Sequence, residues 1–195
     1  MEEERRFLVP HIPDGLDDDD RKYIVQCYPE KEAVHISDGS LMLGDEMLVE
    51  GGIDKQLITA SERKAVALLL DSDPHAGVRL RLHGEKAWVT VKGEKVGGRC
   101  PEVEWEVPPD RIHELVENRG WPSIRKWRYI LPASHGYEWE VDCFLGGNAG
   151  LIIAEIELKD IEDDIELPDW LGLEVTTDSS WSNYSLAHEP RPQDS

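Results

Sequence analysis

The sequence predicts an α+β chain whose antiparallel strands close into a barrel, with a charged lumen inside and a few helices around it. Three observations predict it. Segment after segment alternates between an apolar and a charged face, the period-2 signature of a β-strand. The charged faces carry same-sign doublets rather than the mixed Thr, Ser, Gln and Lys of an ordinary solvent face: Glu2/Glu4, Glu104/Glu106, Glu140/Asp142 and Glu155/Glu157 against Arg79/Arg81 and Lys126/Arg128, with Arg6 and Lys92 in addition. Trp88, Trp105, Trp127 and Trp139 read as outward side chains that need covering by helices. Closure removes edge strands, and a lumen charged with both signs needs partners for its buried charge. The simpler alternative is an antiparallel sheet with its polar face to water.

The elements follow in order. Residues 1–9 (MEEERRFLV) read as a first strand with Glu2, Glu4 and Arg6 on one face. Pro, Gly and four successive Asp residues make 10–21 a loop, and 23–28 (YIVQCY) is a β-branched and aromatic strand. Residues 29–74 show no clean period and read as an insertion, an excursion from the main sheet; within them 61–70 (SERKAVALLL) is a helix capped by Ser61 or a buried strand. Residues 78–83 (VRLRLH) and 87–92 (AWVTVK) flank a Gly-Glu-Lys turn as a hairpin, with Arg79 and Arg81 on one face of the first strand and Trp88, Thr90 and Lys92 sharing a face of the second. After a Gly-rich loop at 95–101, 103–107 (VEWEV) is a strand. Pro108-Pro109-Asp110 starts a short helix over 111–119, ended by Gly120, with Ile112, Leu115 and Val116 as its buried stripe. Strands at 124–131, 137–144 and 151–158 complete the set, followed by an acidic helix around 159–165 and a closing helix near 183–188. Residues 1–188 are expected to form a single domain, with 189–195 a disordered tail.

Net charge is -20 over 195 residues, which argues against a broad nucleic-acid or anionic-membrane surface while leaving many oxygen ligands for hard divalent cations. Cys27, Cys100 and Cys143 lack CxxC or finger spacing, and free thiols in a reducing compartment are expected. No signal-peptide core or 18-residue apolar run is present, so a cytoplasmic chain without a membrane partner is expected. No His is assigned to metal.

Read together, Glu2-Glu3-Glu4-Arg5-Arg6, RLR at 79–81, TVKG at 90–93, EWE at 104–106, KWRY at 126–129, EVDCF at 140–144 and AEIEL at 154–158 resemble the ordered motifs of the CYTH domain family, the triphosphate tunnel metalloenzymes. The first motif resembles ExExK with Arg in place of Lys. The resemblance implies a closed eight-stranded antiparallel β-barrel forming a tunnel, often homodimeric, that takes a small-molecule triphosphate with Mg²⁺ or Mn²⁺. It implies that Arg6, Arg79, Arg81, Lys92, Lys126 and Arg128 bind phosphates and that Glu2, Glu4, Asp142, Glu155 and Glu157 bind metal. Glu4, Lys126 and Arg128 are the implied catalytic residues. Glu104, Glu106 and Glu140 would be tunnel acids of unassigned role. Three features depart from the family's pattern: Glu102 stands where an arginine is common, 182–185 carries no basic residue, and Glu3 replaces the apolar residue usual between the two motif glutamates. The implied activity is hydrolysis by metal-activated water, with inorganic tripolyphosphate as first substrate. Class IV adenylate cyclase and thiamine triphosphatase are alternatives within the family, and a non-catalytic triphosphate- or nucleotide-binding module is an alternative outside catalysis.

Overall fold

A computed structural model describes residues 3–50, 59–72, 77–93, 102–159 and 165–193. In chain order the elements are β1 (Glu3–Leu8), β2 (Lys22–Cys27), β3 (Val34–Ser37), β4 (Ser40–Leu43), β5 (Glu46–Val49), α1 (Ala60–Ser72), β6 (Gly77–His83), β7 (Lys86–Lys92), β8 (Glu102–Val107), α2 (Pro109–Arg119), β9 (Ser123–Pro132), β10 (Glu138–Leu145), β11 (Ile152–Leu158) and α3 (Asn183–His188). Glu2, Cys100, the whole Gly-rich loop at 95–101 and residues 160–164 of the acidic helix expected around 159–165 lie outside the described residues.

Eight strands hydrogen-bond in the order β1-β11-β10-β9-β2-β6-β7-β8, and β3-β4-β5 form a separate three-stranded sheet. The expected closed barrel is corrected by this order: β1 and β8 are the two ends of the sheet, and among the described residues they do not pair with each other. The physical reason lies at β1. One edge of β1 pairs antiparallel with β11, from Glu3↔Leu158 to Leu8↔Ile153. Its other edge is taken by a late segment of the chain. The Leu8 amide donates to Leu173 O at 2.9 Å, the Gly172 amide to Leu8 O at 2.8 Å and the Val175 amide to Arg6 O at 2.8 Å, and Phe7 bridges Glu174. At Arg6 and Leu8 the outer edge of β1 is therefore already bonded within its own unit. Gly172 permits the close approach, since a Cβ there would sit 2.6 Å from Leu8 O.

The chain divides into two compact units, Met1–Val25 with Ile124–Ser195, and Gln26–Ser123. In the first, the apolar faces of β1, β9, β10 and β11 share one core that includes Phe7, Tyr129, Trp139, Val141, Ala154 and Ile156. Trp139 is 1% exposed and meets Phe7 and Trp170 edge-on, with ring centroids 5.6 and 5.8 Å away. Leu16, Trp170 and Leu171 pack against this core. Irregular segments, not the expected helices, therefore supply these covering side chains. Past α3 the Arg191 amide donates to Asn148 Oδ1 at 2.7 Å and the Gln193 amide to Ala149 O at 3.0 Å.

In the second unit, α2 packs on β6 and β7 and buries Ile112, Leu115 and Val116, as its 3.6-residue spacing predicts. Pro109 opens α2 and Gly120 closes it at φ 64°, a left-handed cap that glycine adopts without penalty. The start of α1 differs from expectation. Thr59, not Ser61, is the cap: the Glu62 amide donates to Thr59 Oγ1 at 3.2 Å while the Thr59 amide donates to Glu62 Oε2 at 2.6 Å. This reciprocal capping box satisfies two helix-end donors at once.

The latch on β1 generates a pH-dependent prediction. Arg5 donates from Nε and Nη2 to both oxygens of Glu174 at 2.9 Å, and this bonding holds the Glu174 carboxyl below its usual range. A depressed carboxyl stabilises the fold above its unfolded value of about 4.3, and that contribution is lost as pH falls through the folded value. Glu174→Gln is expected to cost a few tenths to about 1 kcal/mol at pH 7, a figure discounted for exposure. Urea midpoints of both proteins should converge by about pH 3.

Candidate active site

In the first unit, cross-strand register gathers the ionic doublets onto one face. Arg128 lies opposite Asp142, and Lys126 opposite Phe144. Glu140 lies opposite Glu155, Glu155 opposite Arg6, and Glu157 opposite Glu4. Eight of the predicted site residues therefore share this face: Glu4, Arg6, Lys126, Arg128, Glu140, Asp142, Glu155 and Glu157.

Asp142 is its centre. At 1% exposed its carboxylate takes Lys126 Nζ at 2.5 Å and a two-point contact from Arg128, Nε to Oδ1 at 2.7 Å and Nη2 to Oδ2 at 2.6 Å. Lys126 is fully buried; it also donates to Asn183 Oδ1 at 3.1 Å and lies 5.3 Å from the Phe144 ring centroid. Arg128 continues to Glu140, and its Nη2 is 3.5 Å from Glu155 Oε2. Arg6 donates from Nε to Glu155 Oε1 at 2.6 Å and pairs with Glu4. Burial works against the charge of Asp142, yet the Lys126 and Arg128 charges outweigh it and hold the carboxyl below its usual range. Burial likewise lowers Lys126, opposed by Asp142. Glu4 is pushed up by burial and then by Glu155, and Glu140 is pushed up by burial against the pull of Arg128.

Among the described residues, three cationic side chains here face five carboxylates, a surplus of two negative charges when all are ionised. The donors are all carboxylate oxygens, which suits a hard divalent cation. Among the described residues no group of three or more His, Cys, Asp or Glu stands close enough to hold a metal ion, because the carboxylates are turned onto arginines and lysine. To hold one, Glu4 and Glu155 would exchange Arg6 for the cation. Both oxygens of Asp142 are already taken by Lys126 and Arg128.

In the second unit, β6, β7 and β8 build another charged face. Arg79 Nη2 is 3.2 Å from both Thr90 Oγ1 and Glu104 Oε2, Arg81 Nη2 is 3.2 Å from Glu104 Oε1, and the buried Thr90 hydroxyl donates to Glu104 Oε2 at 2.6 Å. Lys92 lies opposite Glu102, and Lys86 pairs with Glu106 at 3.3 Å. Trp88, counted among the outward tryptophans, lies instead on this charged face, opposite Arg81 and Glu106, with the Arg81 guanidinium 5.0 Å from its ring centroid. Among the described residues, four cations here face three carboxylates, a surplus of one positive charge.

Sequence reasoning missed Asn183 and the part played by Thr90. Thr90 alternates with Lys92, so the strand period carried a signal for it. Asn183 is 57 residues from Lys126 on a short helix, where no periodicity points to it.

Removing the central carboxylate leaves the buried Lys126 without its ion-pair partner and Arg128 without its two-point contact. Asp142→Asn is expected to lower unfolding free energy by about 3–5 kcal/mol. Glu157→Gln, at an exposed position of the same face, should change it by under about 0.5 kcal/mol. Urea titration of the two variants checks the contrast.

Comparison with known proteins finds no matching family model. A curated relative, an inorganic triphosphatase of Acetivibrio thermocellus, is 38% identical over 146 residues, covering 74% of this chain and 92% of the relative. A crystal structure of the inorganic triphosphatase NE1496 is 24% identical, covers 96% of this chain and 94% of that one, and shares the fold at a TM-score of 0.58. A crystal structure of the hypothetical protein NE1496 is 26% identical, covers 96% and 97%, and also has a TM-score of 0.58. With this degree of identity over most of its length, joined to the ordered ionic doublets on its strands, the chain belongs to the inorganic triphosphatases of the CYTH, or triphosphate tunnel metalloenzyme, family.

Proposed function

We propose that this protein is a triphosphatase that hydrolyses the terminal phosphoanhydride of inorganic tripolyphosphate with a divalent cation, Mg²⁺ or Mn²⁺. The observation that carries this reading is the first unit's face, where carboxylate oxygens suited to a cation stand beside the guanidiniums of Arg6 and Arg128, suited to phosphate oxygens. The curated relative, an inorganic triphosphatase, supports it.

Glu4, Glu155 and Glu157 would hold the cation, with Glu2 two residues before Glu4 in sequence. When bound, the cation neutralises phosphate charge and makes water more acidic. Arg79, Arg81 and Lys92 bind phosphate oxygens through charge-assisted hydrogen bonds. Arg6 and Arg128 stabilise charge gathering on the transferred phosphoryl group. Lys126 is fully buried, so it contributes its field from beneath the face rather than a direct contact. Asp142 holds Lys126 and Arg128 in place and thereby positions the guanidinium. Water oxygen forms the new bond to phosphorus, the bridging bond breaks, and a carboxylate of the first face accepts the proton. Diphosphate and phosphate leave. Among the described residues no helix is long and apolar enough to cross a membrane.

Phosphate release from tripolyphosphate, thiamine triphosphate and ATP, with cyclic-nucleotide detection on ATP, tests the reading. Tripolyphosphate should turn over fastest, only with Mg²⁺ or Mn²⁺ present, and ATP should yield no cyclic product. Glu4→Gln is expected to lower kcat by about 100-fold or more while tripolyphosphate still binds. Binding without turnover of any triphosphate would establish a binding module instead.

A further inference from the structure

We propose that Glu102 is a displaceable counter-charge at Arg79 that sets how tightly the second unit's face holds a polyanion; this rests on the triphosphatase reading. The three carboxylates of that face are held very differently. Glu104 is fixed by Arg79, Arg81 and Thr90 together. Glu106 is paired with Lys86 at 3.3 Å, next to the hairpin turn. Among the described residues Glu102 makes only a long approach, Oε1 to Arg79 Nη2 at 3.7 Å, with its side chain 39% exposed. At that distance it is an ion pair and not a hydrogen bond.

Arg79 is correspondingly incomplete. Its Nη2 is shared between Thr90 and Glu104, and its buried Nε has no hydrogen-bond partner among the described residues. A guanidinium has five donors. Glu102 therefore offsets the charge of Arg79 without using its hydrogen-bonding capacity. Register places the same carboxylate opposite Lys92, so one side chain screens two of the cations that the phosphate chain needs. A phosphate oxygen that displaces Glu102 forfeits a partly exposed ion pair of small value and gains a charge-assisted bond. The face thus binds polyanion more weakly than its arginines alone would, and Glu102 is the residue responsible.

Isothermal titration of sodium tripolyphosphate into the full chain, at low salt and without divalent cation, tests this. Glu102→Gln is expected to tighten binding by about 3- to 10-fold, the size of one screened unit charge at this separation, and rising salt should erode the gain. Glu102→Ala should behave alike, with urea midpoints for both variants close to that of the unaltered chain. Glu85→Gln removes the same charge from the exposed hairpin turn and should leave affinity unchanged. Unaltered or weakened binding in both Glu102 variants while the wild-type chain binds, or an equal gain in Glu85→Gln, would overturn the inference alone. Failure of every form to bind tripolyphosphate would overturn the triphosphatase reading with it.

Discussion

The first face depends on one buried carboxylate. Asp142 sits beneath two cations at 2.5 to 2.7 Å, in a place where any of the three charges alone would be prohibitively costly. Desolvating a charge is offset only by close, complete pairing, and Asp142 spends both oxygens on achieving it. From there the pairing runs outward without a break, through Arg128 to Glu140 and Glu155, and through Glu155 to Arg6 and Glu4. Side chains from four strands are locked by mutual attraction, and the orientation of each guanidinium follows from the partner below it.

Such a network resembles a set of placeholders. In each face arginines hold carboxylates, and under the proposed function these partners would be exchanged: a phosphate oxygen for a glutamate, a metal ion for an arginine. The charges are already gathered and oriented, so binding exchanges partners instead of ordering long side chains from solvent. That lowers the entropic cost of recognition. The two faces differ in sign of surplus, and the difference arises from composition at a few strand positions, not from any difference in fold.

Most strands and the residues of both charged faces were legible in the sequence, because a two-residue period maps directly onto sheet faces. The doublets at 79/81, 104/106, 126/128, 140/142 and 155/157 needed no tertiary information to be placed. What escaped has identifiable causes. Closure depends on which backbone edges remain free, and the segment at 172–176 that occupies the β1 edge alternates over only four residues, Leu173 to Thr176, too few to announce a strand partner. The short strands β3 to β5 span four residues each, too few for a period to emerge. Trp88 reads as outward from its indole alone, whereas an aromatic ring is equally at home beneath a guanidinium. Asn183 and Thr90 carry no formal charge and so stood outside a search made on ionic doublets.

The latch on β1 has a consequence for the order of folding. Arg6 meets Glu155 across 149 residues of sequence and Arg5 meets Glu174 across 169. The second unit, by contrast, is one continuous stretch of chain. A ribosome therefore releases everything needed for the second unit while the first strand still waits for both of its neighbours. Loop closure over such separations is slow, so the charged β1 must remain unpaired through most of synthesis. Its run of Glu and Arg is well suited to that interval, since a strand bearing alternating full charges is a poor template for association with other chains.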